Sequence, residues 1–109
     1  MAYQSCHRFA RIAPRKARLV ADMIRGKPVD QALTALDFST KRGACFIRYV
    51  LRSAIAQAEQ ASVDPGRLFV SERRVDEGPT LKRFQEKDRG RSHPIHKRTC
   101  HLHVSVDAR

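Results

Sequence analysis

The groups in this chain that could do chemistry are five histidines, three cysteines, an adjacent acidic pair at Asp76 and Glu77, and sixteen arginines. For acid–base or nucleophilic catalysis the candidates are Asp76, Glu77, Cys100 and the histidines. Neighbours on a strand face opposite ways, so Asp76 and Glu77 cannot form a catalytic carboxylate pair there. The run at 76–79 reads instead as a turn whose acids bond to local backbone or to Arg74. His101 and His103 share one face of an alternating segment, Cys100 takes the other, and His93 and His96 lie close in sequence. Zinc needs three or four converging ligands, and no second pair at fixed spacing is present, so no metal or cofactor is expected. Cys45, beside Phe46 in a helical segment, reads as a packing residue. P-loop, GxGxxG, HExxH and GxSxG patterns are missing, and Gly26-Lys27 lacks the flanking residues of a phosphate loop. No enzymatic activity is expected.

Arginine offers a different chemistry. Its planar fork grips phosphates bidentately and stacks on bases, and it outnumbers lysine sixteen to six. The 22 basic residues against 11 acidic ones leave a net charge of +11 on 109 residues. So short a chain with that charge repels itself unless a polyanion covers it. The charge is also segregated. Residues 1–27 carry seven bases and one acid, residues 82–103 carry seven and two, and 28–81 carry seven of each. The two one-sided segments are the expected electrostatic footprints, and the histidines read as surface or RNA-facing donors. With no Trp, 2 Tyr and 5 Phe, an aromatic base-stacking platform is not expected.

Other classes drop out quickly. No apolar run approaches the roughly 18 residues a bilayer crossing needs. The opening MAYQSCHRFARIAPRK lacks the apolar core of a secretory signal. Cys6, Cys45 and Cys100 are odd in number without a CxxC, which fits reduced thiols rather than a disulfide framework.

The scaffold that positions these side chains is expected to be one small domain spanning 1–109. Pro14 opens a first helix, directly after the N-terminal segment, and Gly26 stops it. Ala17, Leu19, Val20, Met23 and Ile24 face inward, with Arg15, Arg18, Asp22 and Arg25 on the opposite, mostly cationic side. Pro28 opens a second helix with Val29, Ala32, Leu33 and Leu36 inward. Ser39 or Thr40 caps a third, from about 41 to 61, whose apolar stripe is Ala44, Ile47, Leu51, Ala54, Ile55 and Ala58, with Val50 adjacent. Asp64-Pro65-Gly66 marks a turn, after which the period changes. Residues 68–75 are compatible with a strand, though SERR weakens the alternation. Cys100, Leu102, Val104 and Val106 alternate with polar residues, as a strand with one buried face does. Between these strands lies a basic stretch with Gly90 near its centre and only Phe84 and Ile95 of hydrophobic weight. It is too long for a plain loop. As a two-stranded ribbon turning near 88–92, it needs cover from outside the protein.

The segments RKARLVADMIRGKPVDQAL, SAIAQAEQ, VDEGPTLKR, the GR at 90–91 and HKRTCHLHVSV occur in that order across residues 8–107. In sequence and spacing they resemble the bacterial-type large-subunit ribosomal protein L22 family. The resemblance implies an α+β fold, with three helices packed on a small three-stranded antiparallel sheet and a long protruding β-hairpin at about 80–98. It also implies a structural constituent of the large ribosomal subunit that binds large-subunit rRNA, supports its assembly and lines the nascent-peptide exit tunnel, close to where macrolides act. The implied partners are large-subunit rRNA, other large-subunit proteins near the tunnel exit and the nascent peptide, with no membrane. The implied location is the cytoplasmic ribosome of a bacterial type, or an organellar ribosome.

Carried onto this chain, the resemblance assigns rRNA contacts to Arg8, Arg11, Arg15, Lys16, Arg18 and Arg25 on the domain side, and to Lys82, Arg83, Arg89, Arg91, Lys97 and Arg98 along the hairpin. It assigns the tunnel lining to Leu81, Lys82, Arg83, Lys87, Asp88, Arg89, Gly90 and Arg91. The stretch Gln85-Glu86-Lys87-Asp88 departs from the family's more basic, proline-containing pattern. Carboxylates so near phosphates must pair with Lys87, Arg89 or a cation, or turn into the lumen. The competing reading is a free-standing DNA-binding protein with a helix-turn-helix. Its second helix, VDQALTALDF, has two acids and no Arg or Lys, the reverse of a recognition helix.

Overall fold

A computed structural model describes residues 3–86, 90 and 92–108. In chain order the elements are β1 (Tyr3–Ala10), α1 (Pro14–Met23), α2 (Val29–Phe38), α3 (Gly43–Gln60), a 3-10 turn (Pro65–Arg67), β2 (Leu68–Glu77), β3 (Leu81–Glu86), β4 (Ser92–Lys97) and β5 (Cys100–Ala108). One antiparallel sheet has the order β1-β5-β2, and β3 and β4 pair as a separate antiparallel ribbon. The three helices pack on the main sheet through one apolar cluster, the α+β arrangement expected.

Pro14 starts α1 at the position where its missing N–H goes unneeded. Ala17, Val20, Ala21 and Ile24 are buried at helical spacing. Leu19, expected inward, is 55% exposed. At 3.6 residues per turn it lies roughly 200° around from Ala17, so the alanine-rich stripe turns it away from the core. Gly43 begins α3 and is buried against α1. A Cβ there would stand 3.2 Å from Ile12 and 3.3 Å from Val20, so glycine sets how closely the two helices approach. The buried side of α3 is Ala44, Ile47, Val50, Leu51, Ala54 and Ala58, close to the expected stripe. Cys45 is exposed rather than packed, because it falls on the opposite side of that stripe. At 64–66, Asp64 accepts the Gly66 N–H at 3.0 Å, forming the expected turn.

Two features of the sheet differ from expectation. The segment 3–10, read as running directly into a helix, is an edge strand paired to β5 from Tyr3↔Val106 to Ala10↔Cys100. Its polar residues suit an edge, where one side of the ladder is solvated. Asp76 and Glu77, read as part of a turn, are the last residues of β2 and pair with His101 and Cys100. The weak alternation around SERR has a local cause. Val70 pairs with Val106 but Glu72 pairs with Ser105, so Ser71 is an extra, bulged residue. The buried face therefore shifts from Leu68 and Val70 to Val75.

The ribbon runs in register from Leu81↔Lys97 to Glu86↔Ser92, so Ser92, expected in the turn at 88–92, is paired in β4 instead. The molecule measures 63 × 24 × 17 Å, with a radius of gyration of 16.9 Å. A compact chain of this length has about 13 Å. The excess is consistent with a ribbon projecting from the sheet and helices.

Candidate nucleic-acid interface

The β-ribbon leaves the main sheet beside the starts of two helices, and a cleft of about 900 Å³ opens there. Arg11 and Lys16 come to it from the approach to α1 and its first turn, and Lys41 and Arg42 from the turn before α3. His96, Lys97 and Arg98 come from the base of the hairpin. Among the described residues no acid lines it, while Ile12 and the exposed Leu19 add apolar surface. Ala13, the N-cap of α1, and Arg42, the N-cap of α3, also line it. Neither helix start carries a side-chain cap or an acid in its first turn. The positive ends of both helix dipoles therefore add to the field of the side chains.

Of the residues assigned to RNA from sequence, Arg11, Lys16, Lys97 and Arg98 are brought together in this cleft. Lys41 and Arg42 join them without having been assigned to RNA, and His96 joins as one of the histidines read as surface or RNA-facing donors. Lys41 and Arg42 were hidden by the neutral average of 28–81. The signal that could have found them is their adjacency just before a helix start. The remaining assigned residues are dispersed. Arg8 lies on β1 with its guanidinium 5.2 Å from the Phe9 ring centre. Arg18 donates to the Val75 carbonyl at 3.1 Å, tying α1 to β2 while staying exposed. Arg25 lines a separate hollow with Glu72 and Arg73. Arg15 is exposed at the start of α1.

On the ribbon, residues paired across the strands share a face, and successive residues alternate. Lys82 and Phe84 therefore share a face with His96 and Pro94, and Arg83 lies on the other with Ile95 and Lys97. Lys82, His96 and Arg98 line a smaller hollow of about 350 Å³ together with Glu77. Phe84 is 76% exposed, a large aromatic with little cover from the protein itself. Gly90 sits in the turn with φ +70°, and Leu81 is half-buried at the ribbon base. Lys87, Asp88, Arg89 and Arg91 lie outside the described residues.

The histidines and cysteines assemble differently. Cys6 Sγ lies 3.9 Å from His103 Nε2, and the same nitrogen is 3.3 Å from Asp76 Oδ2. Both neighbours use one imidazole nitrogen, so no relay of the catalytic-triad kind exists. Arg74 Nε also reaches Asp76, at 3.1 Å, as the sequence suggested. His101 Nδ1 accepts the Phe9 N–H at 3.1 Å and holds the irregular end of β1. Among the described residues no group of His, Cys, Asp and Glu is placed to hold a metal. Burial pushes the Cys100 thiol pKa up, partly opposed by Arg18.

The pattern of the ribosomal protein L22p/L17e family matches residues 5–107. The chain belongs to the ribosomal protein L22p/L17e family. The match takes in nearly all of the main sheet, all three helices and the hairpin, so every base of the two basic segments falls within the family's span. As an L22p/L17e protein it is an RNA-binding ribosomal protein of the translation machinery, not an enzyme. Among the described residues no helix is long and apolar enough to cross a membrane.

Proposed function

We propose that this L22p/L17e protein is a structural constituent of the large ribosomal subunit, acting as one domain over 1–109. In this reading it binds large-subunit rRNA, supports assembly of that RNA, and lines the nascent-peptide exit tunnel with the ribbon at about 80–98. The observation that carries the reading is the ribbon itself. A two-stranded hairpin whose large apolar side chains are Leu81, Ile95 and an exposed Phe84 has too little core to stand alone in water. Its basic composition makes RNA the natural cover. The domain-side contacts are Arg8, Arg11, Arg15, Lys16, Arg18 and Arg25. Those of the hairpin are Lys82, Arg83, Arg89, Arg91, Lys97 and Arg98. Leu81, Lys82 and Arg83, with Lys87, Asp88, Arg89, Gly90 and Arg91 at the turn, face the tunnel and the nascent peptide. Neighbouring large-subunit proteins near the tunnel exit complete the surroundings, in a cytoplasmic bacterial-type or an organellar ribosome.

The test is co-sedimentation of the tagged chain with intact large subunits through a high-salt wash, followed by crosslink mapping to rRNA. Retention with crosslinks from the hairpin is expected. Release by salt, with crosslinks only from the domain side, would refute burial of the hairpin in rRNA.

A further inference from the structure

We propose that the cleft between the hairpin base and the starts of α1 and α3 holds a short unpaired segment of RNA, whose phosphates bridge the hairpin to the helical layer. The proposal rests on the RNA-binding reading above and adds the place and the form of the RNA.

The gathering of cations with no acid among them sets this cleft apart. Some arginines elsewhere on the protein lie against carboxylates, as in Arg48–Asp37 at 2.8 Å, Arg73–Asp22 at 2.8 Å and Arg74–Asp76 at 3.1 Å. The six Lys and Arg side chains of the cleft form no ion pair among the described residues. They come from three chain segments far apart in sequence, so the fold has gathered like charges without supplying an acid to balance them. Like charges held together in this way call for an external anion. Since they stand on opposite walls, an anion that contacts both walls also fixes the hairpin relative to the helices.

The size and lining choose the form of RNA. At about 900 Å³ the cleft falls near the top of the range for small-ligand pockets, roughly 300–1,000 Å³. That space accepts a few nucleotides of one strand, whereas a duplex can only lie across the rim. The exposed Leu19 offers apolar surface to a base face, and base faces are free only where RNA is unpaired.

The test uses the full chain, with oligouridylate and a blunt RNA duplex of equal length as probes, across a salt series. A cleft variant, Arg42→Gln with Lys97→Gln, removes one exposed cation from each wall. A control variant, Lys27→Gln with Arg52→Gln, removes two exposed cations that do not line the cleft. Oligouridylate should bind more tightly than the duplex. Its salt slope should fall by about 1.4 in the cleft variant and stay unchanged in the control, since each single-strand phosphate contact contributes roughly 0.7. Equal loss in both variants, or equal affinity for the duplex, would overturn the proposal. If large-subunit rRNA is still bound tightly in that case, the functional reading survives without it. If the wild type does not bind that rRNA at all, both fail.

Discussion

Gly78 and Thr99 are locked together where the hairpin leaves the sheet: the Gly78 N–H donates to the Thr99 carbonyl at 3.0 Å. The buried Thr99 hydroxyl in turn donates to the Pro79 carbonyl at 2.5 Å. This pair stands between the end of β2 and the start of β5, so it governs how the ribbon departs from the sheet.

A Cβ on Gly78 would stand 2.6 Å from Thr99 Oγ1 and 3.3 Å from the Thr99 backbone. Gly78→Ala should therefore destabilise the protein by about 1–3 kcal/mol, as overpacking does. Thr99→Ala removes the obstructing hydroxyl, so the double variant should lose less than the sum of the two single changes. Urea unfolding of the four proteins measures this, and strict additivity would place the strain elsewhere.

The bulge at Ser71 makes an asymmetric prediction about deletions. Removing Ser71 lets Val70 and Glu72 follow each other opposite Val106 and Ser105, with every later side chain on its present face. Removing Arg74 forces a slip that turns part of β2 inside out. Loss of Ser71 should change stability by less than about 1 kcal/mol, whereas loss of Arg74 should exceed about 3 kcal/mol or prevent folding. Thermal unfolding distinguishes them.

Thiol reactivity should divide the cysteines. Cys6 and Cys45 are exposed and should react with a thiol reagent in the native state, while buried Cys100 should react only on unfolding. Burial raises the folded pKa of Cys100 above its unfolded value. The folded state then holds the proton more tightly, so this contribution to stability is complete below the unfolded pKa of about 8.5 and declines as pH rises beyond it. Cys100→Ala should flatten the alkaline fall of stability. An identical pH profile in the variant would remove Cys100 as its source.

Deleting residues 81–83 takes half of β3 and an odd number of positions, so side chains beyond the cut must change faces or bulge. The core residues all lie outside the ribbon, so the melting curve of the free protein should stay close to wild type. On the proposed function, large subunits should still incorporate the variant, with an altered tunnel lumen in density maps and altered macrolide sensitivity in growth tests. Exclusion of the variant from subunits would mean that assembly needs the hairpin base.

Much of this protein was legible from residue order because the signals were local. Pro14 and the spacing of Ala17, Val20 and Ile24 specify α1, the alternation of Cys100, Leu102, Val104 and Val106 specifies β5, and Gly90 amid charged residues marks the ribbon turn. A periodic pattern reports which face of an element is buried without any knowledge of its neighbours. The net charge and its segregation likewise reside in the sequence, and they already pointed to a polyanion.

Only the tertiary structure decided the rest. β1 has no apolar alternation strong enough to announce a strand, since at an edge its pairing with β5 supplies what its side chains do not. The turn of Leu19 away from the core depended on which stripe α3 could approach, and Gly43 settled that contact. Most of all, the cleft joins Arg11 and Lys16 to Lys41 and Arg42 and to Lys97 and Arg98, three segments that local averaging keeps apart. Periodicity acts over a few residues, whereas a field of converging charges is a property of where chain segments meet in space.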